Sequence, residues 1–333
     1  MSSKPFSIPQ ARIDLHNSSL PLSRRYRALF ALKHHACLSP PTPTTLPAIE
    51  AIASCLAETP SALLKHELAY CLGQTRNPAA ATPLRKALLD FGEDAMVRHE
   101  SAEALGALGD VQSLPILRER RDDEGEKVVV RETCEIAVQR IEWESGLKEK
   151  EERVKESAFA SVDPAPALPF AETSISIPEL QTTLLDTKLP LFTRYRAMFA
   201  LRDLASPPDL PNARPAILAL ATGLSDPSAL FRHEIAFVFG QLSHPASIPS
   251  LAEALGNSKE DAMVRHEAAE ALGSLGGEPG VEEILKRFLH DEVDIVRESV
   301  VVALDMAEFE RSGQADYATL SGNENSIAHA VAA

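Results

Sequence analysis

Apolar residues recur every three or four positions along most of the chain, and no long stretch alternates between apolar and polar residues. Residues 226–228 (Asp-Pro-Ser) are typical of a helix start, because Asp or Ser caps the first turn and Pro is tolerated within it. The apolar residues that follow fit a period of about 3.6: Leu230, Ile235, Val238, Phe239 and Leu242. A second short helix is predicted over 247–255, and a third starts after the capping pair 260–261 and ends at 276–277. The pattern predicts short helices joined by tight turns.

The chain contains an internal duplication. Residues 93–109 (EDAMVRHESAEALGALG) and 260–276 (EDAMVRHEAAEALGSLG) are identical at fifteen of seventeen positions, with an offset of 167 residues. Residues 60–74 and 227–241 match at the same offset, with nine of fifteen positions identical. A unit of roughly 130 residues is therefore present twice, which indicates a repeat architecture.

A shorter period divides each half into four repeats. His66 and His99 are 33 residues apart, as are His233 and His266, and Glu follows each of them. The equivalent two residues of each repeat, here called the motif position, hold Tyr-Arg, His-Glu, His-Glu and Arg-Glu in chain order. Helix–turn–helix units of this length are typical of the HEAT type, whose units stack to bury a continuous core. We therefore predict an all-α HEAT-repeat helical solenoid of eight helix pairs, in two duplicated halves of four.

Three segments lack the repeat pattern. Residues 145–178 begin as a charged run and continue rich in Pro, Ala and Ser, as is typical of a linker. Residues 1–9 and 312–333 carry no repeat signal and are interpreted as loose ends. The predicted organisation is an N-terminal extension at 1–19, an N-terminal HEAT half at 20–144, a linker at 145–178, a C-terminal HEAT half at 179–311 and a disordered tail at 312–333.

Four His-Glu pairs occupy equivalent motif positions: His66-Glu67, His99-Glu100, His233-Glu234 and His266-Glu267. On a helical wheel the apolar residues around His66 gather on the opposite side, so His66 is predicted to point away from the core. A Gly follows each motif His by seven residues, which is two turns, at Gly73, Gly106, Gly240 and Gly273. Gly within a helix costs about 1 kcal/mol relative to Ala, so these glycines indicate that something needs the space beside the His.

The His-Glu pairs favour a metal site over a structural polar ladder. Imidazole and carboxylate together form an N/O ligand set that suits Fe, Mn or Zn. Pairs on adjacent repeats would face one another on stacked helices, and pseudo-twofold packing of the halves would bring both sets face to face. A polar ladder remains our interpretation of the Arg-Glu pairs at the fourth motif positions, Arg131-Glu132 and Arg297-Glu298.

Composition and charge argue against several classes of protein. The formal net charge of −15 argues against nucleic acid as the main partner. No apolar run approaches the roughly 18–20 residues of a membrane span, and residues 1–19 lack the apolar core of a secretory signal. The four cysteines show no CxxC spacing and are predicted to be reduced packing residues. We expect a cytoplasmic protein, with the nucleus as a second location, and neither a membrane nor a nucleic-acid partner.

The motifs resemble those of deoxyhypusine hydroxylases. The matching stretches are KHELAYCLGQ, EDAMVRHESAEALGALGD, FRHEIAFVFGQL and EDAMVRHEAAEALGSLG, and the resemblance covers about residues 20–309. It implies an enzyme, a deoxyhypusine monooxygenase with two Fe(II) ions per chain between its halves and O2 as co-substrate. The implied protein partner is translation initiation factor 5A, whose deoxyhypusine side chain would be hydroxylated to complete hypusine. The reaction also needs an electron donor, which the sequence does not identify.

The resemblance assigns roles to single residues as well. The implied iron ligands are His66, His99 and Glu100 for one ion, and His233, His266 and Glu267 for the other. Glu67 and Glu234 would be catalytic carboxylates beside the metals, either as further ligands or as partners of the substrate amines. Gly73, Gly240 and Met263 would line the channel that binds the substrate side chain.

Two other functions fit a helical repeat protein. A metal-free HEAT-repeat scaffold that binds proteins is the main alternative, and it predicts no bound iron. A HEAT-repeat lyase that attaches bilin pigments would not need His-Glu pairs at equivalent positions of its repeats. The colour and metal content of the purified protein separate the three, since a blue or brown protein with about two irons per chain supports the oxygenase.

Overall fold

Helices account for the repeats throughout the computed structural model, which describes residues 7–146, 159–168, 176–312 and 317. Within these residues there is no β-strand, and the helices fall into eight consecutive pairs, four in each half. The predicted all-α architecture of eight helix pairs in two duplicated halves is therefore confirmed.

The described residues divide into two units, which are treated separately below. The first unit runs to Ile141 and also includes Ser312 and Tyr317, and the second unit is Glu142–Arg311. The helices of the first half are α1 (Ile8–His16), α2 (Leu22–Ala36), α3 (Thr45–Glu58), α4 (Ala62–Gln74), α5 (Ala81–Leu89), α6 (Ala95–Ala107), α7 (Leu114–Asp122) and α8 (Val128–Gly146). Those of the second half are α9 (Ile177–Leu185), α10 (Leu191–Leu204), α11 (Ala213–Ala221), α12 (Ala229–Leu242), α13 (Ile248–Gly256), α14 (Ala262–Gly273), α15 (Val281–Lys286) and α16 (Asp294–Ser312).

Side-chain caps set the helix starts that the sequence predicts. The hydroxyl of Ser228 accepts a hydrogen bond from the Phe231 amide at 3.1 Å and starts α12. The second predicted helix is α13, which starts one residue later than expected. The predicted end of α14 is wrong, because that helix ends at Gly273. Gly276 serves packing instead, since a Cβ there would lie 2.1 Å from the Cα of Ala307 in α16.

The predicted N-terminal extension, residues 1–19, contains α1, and the loose end predicted for residues 1–9 overlaps this helix at Ile8 and Pro9. Ala11 and Leu15 of α1 are fully buried, and α1 packs against α2 as the first member of the first pair. A helix of nine residues with so few buried apolar positions gives a weak periodic signal, which explains why the sequence pattern misses it.

The predicted linker, residues 145–178, contains a packed segment. Residues 159–168, here called the linker segment, bury Val162 and Ala165. Asp163 of this segment accepts hydrogen bonds from both terminal nitrogens of Arg202 in α10, at 2.7 and 2.8 Å. The charged run before the linker segment and residues 169–175 lie outside the described residues, and α9 starts within the predicted linker.

The predicted disordered tail, residues 312–333, is described only at Ser312 and Tyr317. Tyr317 is buried, and its ring meets that of Phe30 in α2 edge to face with centroids 6.1 Å apart. The guanidinium of Arg27 lies 4.6 Å from the centroid of the same ring. The tail therefore makes at least one ordered contact with the first helix pair.

None of the helices in the described part of the chain combines the length and the apolar character that crossing a lipid bilayer requires.

Candidate metal centre

Each motif His is the fifth residue of its helix, because the four helices start at equivalent capped positions. The caps come in two types. Ser61 and Ser228 cap α4 and α12 through their hydroxyls, and the carboxylates of Asp94 and Asp261 cap α6 and α14. The register of each His-Glu pair relative to its helix start is therefore encoded locally.

A cation precedes each motif His, at Lys65, Arg98, Arg232 and Arg265. In α14, Arg265 donates from Nε to the carbonyl of Leu255 in α13 at 3.0 Å and binds Asp291 at 3.1 and 2.5 Å. Arg98 donates in the same way to the carbonyl of Leu88 at 3.1 Å. These bonds tie the motif helices to their neighbours and so fix their rotation. The four cations are visible in the sequence, but their partners emerge only from the fold.

The first half brings three of the predicted ligands together. His66 Nε2 lies 3.3 Å from Oε2 of Glu100, and the rings of His66 and His99 have centroids 5.3 Å apart. One donor atom from each of His66, His99 and Glu100 lies within 4.8 Å of the others, and all three residues are buried. These three residues are called the first ligand set.

The second half repeats the His–Glu distance and the ring separation of the first half. His233 Nε2 lies 3.3 Å from Oε2 of Glu267, and the rings of His233 and His266 have centroids 5.3 Å apart. His266 Nε2 lies 3.9 Å from the same oxygen of Glu267. His233, His266 and Glu267 are called the second ligand set, and the sequence duplication thus appears as a duplicated arrangement of side chains.

All four motif histidines are buried, with between 0% and 6% of their surface exposed. The helical wheel predicts that His66 points away from the core, but it does not reveal that His66 is buried in the folded chain. A wheel treats one helix alone, whereas α4 packs along α6. The site is therefore an enclosed one and not an open polar ladder.

Both ligand sets fit a divalent cation by their chemistry. A buried carboxylate beside two imidazoles costs free energy unless a positive charge compensates it. A bound metal ion would supply that charge and would accept nitrogen and oxygen donors together, a combination that suits iron, manganese or zinc.

Comparison with known proteins identifies the repeats and the family. A model described as HEAT repeats matches residues 49–138 and 215–305. The chain is 66% identical over 311 residues to a deoxyhypusine hydroxylase of Phaeosphaeria nodorum, covering 93% of this chain and 94% of that protein. It is 63% identical over 314 residues to a deoxyhypusine hydroxylase of Neurospora crassa, covering 94% and 97%. The chain belongs to the deoxyhypusine hydroxylase family.

A solved structure supports the same membership of the deoxyhypusine hydroxylase family. The structure of human deoxyhypusine hydroxylase in complex with glycerol aligns with a TM-score of 0.78 and 44% sequence identity. The alignment covers 91% of this chain and 96% of the human chain. The resemblance predicted from the His-Glu motifs is therefore confirmed.

In this member of the deoxyhypusine hydroxylase family, the other two motif carboxylates lie outside the two ligand sets. Glu67 and Glu234 are buried, yet neither belongs to a three-residue ligand group among the described residues. The thiol of Cys71 donates a hydrogen bond to Oε1 of Glu67, with 3.8 Å between sulfur and oxygen. Their roles as catalytic carboxylates, as further ligands or as substrate contacts stay predictions.

In this deoxyhypusine hydroxylase family member, Gly73 and Gly240 lie against a neighbouring helix, which the sequence does not reveal. A Cβ on Gly73 would lie 2.7 Å from the Cα of Ala104 in α6, so the space beside this Gly is filled by the neighbouring helix. On Gly240 it would lie 3.4 Å from the Cα of Ala271. Met263 lies buried in the first turn of α14. The assignment of Gly73, Gly240 and Met263 to substrate binding stays a prediction, and the close approach of Ala104 gives Gly73 a structural reason of its own.

Proposed function

We propose that the protein hydroxylates the deoxyhypusine side chain of translation initiation factor 5A, with O2 as co-substrate. Membership of the family supports this reaction, because the relatives are named deoxyhypusine hydroxylases. The observation that carries the proposal is the duplicated set of two buried imidazoles and one buried carboxylate. A protein-binding scaffold needs no such repeated enclosed donor set.

Two Fe(II) ions per chain are the proposed metals, one on each ligand set. His66, His99 and Glu100 would hold one ion, and the equivalent residues of the second ligand set would hold the other. Bound iron would supply the electrons that activate O2 toward an unactivated C–H bond. Two imidazoles with one carboxylate are a donor set that suits non-haem Fe(II) oxygenase chemistry and leaves coordination positions open. The expectation that the two ligand sets face each other stays a prediction.

The remaining residues would bind the substrate and exclude water. Deoxyhypusine carries protonated amines, and Glu67 and Glu234 provide buried carboxylates that can accept charge-assisted hydrogen bonds from them. Burial of the motif side chains keeps bulk water away from the reacting C–H bond. One oxygen atom of O2 is inserted into that C–H bond, and the other leaves as water after taking up two protons and two electrons from a separate donor.

Metal analysis and a hydroxylation assay on the full-length protein test the proposal. We expect about two Fe per chain, and we expect His99→Ala to lose iron and most of the hydroxylation, measured as the gain of one oxygen atom on deoxyhypusine-bearing factor 5A. His290→Ala is the matched control, because His290 is exposed and lies outside the motif positions. About one Fe per chain, or zinc as the native metal, contradicts the di-iron assignment. Absence of metal together with normal function in His99→Ala supports the scaffold instead.

A further inference from the structure

A second carboxylate accompanies the later motif His in each half. Glu270 follows His266 by four residues in α14, and Glu103 follows His99 by four residues in α6. The same place in the earlier motif helices holds an aromatic residue, Tyr70 or Phe237. Residues four apart lie on the same face of a helix, so each carboxylate shares a helix face with its own His.

The two ring nitrogens of His266 lie beside different carboxylates. Nδ1 is 3.8 Å from Oε1 of Glu270, whereas Nε2 is 3.9 Å from Oε2 of Glu267. That same oxygen of Glu267 lies 3.3 Å from Nε2 of His233. The Nε2 atoms of both histidines therefore converge on Glu267, whereas the atom of His266 beside Glu270 is Nδ1. One donor atom from each of His266, Glu267 and Glu270 lies within 4.8 Å of the others, so direct ligation by Glu270 is the alternative that the experiment below separates from positioning.

Glu270 accepts a hydrogen bond from a residue of the next repeat. The hydroxyl of Ser299 in α16 donates to Oε1 of Glu270 at 3.2 Å, and Ser299 is fully buried. In the first half Thr133 takes the place of Ser299 and donates instead to the carbonyl of Val129 at 2.8 Å. The hydrogen bond from Ser299 thus ties the carboxylate of Glu270 to the following repeat.

We propose that Glu270 is a positioning residue that keeps the proton of His266 on Nδ1 and leaves the lone pair of Nε2 for the metal. This inference rests on the proposed metal site. The present separation of 3.8 Å is an ion-pair distance and is longer than a hydrogen bond. Metal-bound His residues almost always donate their other ring N–H to a carboxylate, a carbonyl or water, and loss of that partner costs about 10–100-fold in metal affinity.

Fe(II) titration of the metal-free full-length chain under anaerobic conditions tests this role. Glu270→Leu should weaken one of the two Fe(II) sites about 10–100-fold. Glu270→Gln keeps an acceptor oxygen and should recover most of that affinity. Glu253→Gln on α13 is the matched control, because Glu253 is exposed, and it should bind as the wild type does. Thermal unfolding of the metal-free variants verifies that each one is folded.

A spectroscopic readout separates positioning from a purely structural role. In the zinc-loaded protein, long-range ¹⁵N–¹H correlation should show His266 protonated at Nδ1, and Glu270→Leu should change that pattern while Glu253→Gln leaves it unchanged. If Glu270→Leu binds Fe(II) as tightly as the wild type does, the positioning role is overturned and the proposed function is not. If Glu270→Gln loses metal as completely as Glu267→Ala does, Glu270 is itself a metal ligand. That result also overturns the inference. A wild-type chain that takes up no metal overturns the proposed function, and the positioning role with it.

Discussion

The carboxylates of Glu100 and Glu67 have different neighbours, although both belong to His-Glu pairs. Glu100 Oε2 lies 3.3 Å from His66 Nε2, whereas Glu67 accepts a hydrogen bond from the thiol of Cys71. Burial, and then the charge of Glu67, raises the pKa of Cys71, so the thiol keeps its proton and remains a donor at neutral pH. Val238 replaces Cys71 in the second half, so this thiol donor is specific to the first.

This difference predicts separate effects of two substitutions. Glu100→Ala should lose iron, because it removes the carboxylate of the first ligand set. Glu67→Ala should keep substantial iron but weaken substrate binding roughly 10–150-fold, because a charge-assisted hydrogen bond is worth about 1.5–3 kcal/mol. Iron content and the Kd for a deoxyhypusine peptide, measured on both variants, give the answer. If Glu67→Ala strips iron as fully as Glu100→Ala does, Glu67 is a metal ligand and the division is wrong.

At the contacts between neighbouring helices, Gly73 and Gly240 occupy equivalent positions in the two halves, so the same substitution can be compared at both. Added Cβ atoms would lie 2.7 Å from Ala104 Cα in the first half but 3.4 Å from Ala271 Cα in the second. Gly73→Ala should therefore destabilise the metal-free protein by about 1–3 kcal/mol, because α4 and α6 must separate. Gly240→Ala makes ordinary contacts and should be neutral or stabilising by up to about 1 kcal/mol.

Urea unfolding of the two Gly variants measures this contrast, and the reverse order of stabilities would show that close packing of α4 on α6 is not the reason for Gly73. Substrate affinity adds a second comparison. Gly240→Ala with normal stability and weakened substrate binding would support the predicted channel role of Gly240. Normal stability with normal binding would show that neither packing nor substrate binding requires a glycine at position 240.

At the level of helices, the sequence predicts features that depend on adjacent residues and misses features that depend on a neighbouring repeat. The cap at Ser228 and the apolar period after it are properties of a few adjacent residues, and α12 starts as expected. The role of Gly73 depends on Ala104, which belongs to the next repeat, so the sequence shows an unusual glycine without its cause.

Across the whole chain, the duplication predicts that both halves build the same site. The His–Glu distance of 3.3 Å and the ring separation of 5.3 Å recur in both halves, as expected from near-identical motif helices. The packing of the linker segment could not be predicted in this way. Its partners are distant in sequence, since Arg202 lies 39 residues after Asp163 and Gln241 lies 80 residues after Ser161. A segment rich in Pro, Ala and Ser carries no periodic signal for such contacts.

The linker segment is held by a buried charge cluster. Arg202 is fully buried, stacks on the ring of Phe159 at 4.3 Å and donates to Asp163, Asp203 and Gln241. Burial alone would lower the pKa of Arg202, but the carboxylates of Asp163 and Asp203 outweigh it and raise the pKa. The guanidinium therefore stays charged and depends on its carboxylate partners.

Asp163→Asn should consequently release the linker segment without disturbing the ligand sets. The substitution keeps the shape of the side chain but leaves a buried guanidinium with one carboxylate fewer, which costs about 1–3 kcal/mol of stability. We expect a lower urea midpoint and faster hydrogen exchange at the Leu168 amide, which donates to the carbonyl of Arg196 at 3.1 Å. Asp209→Asn is the control, because Asp209 is an exposed residue beyond the end of α10. Unchanged exchange at Leu168 together with an unchanged midpoint in Asp163→Asn would show that the Arg202 cluster does not hold the segment in place.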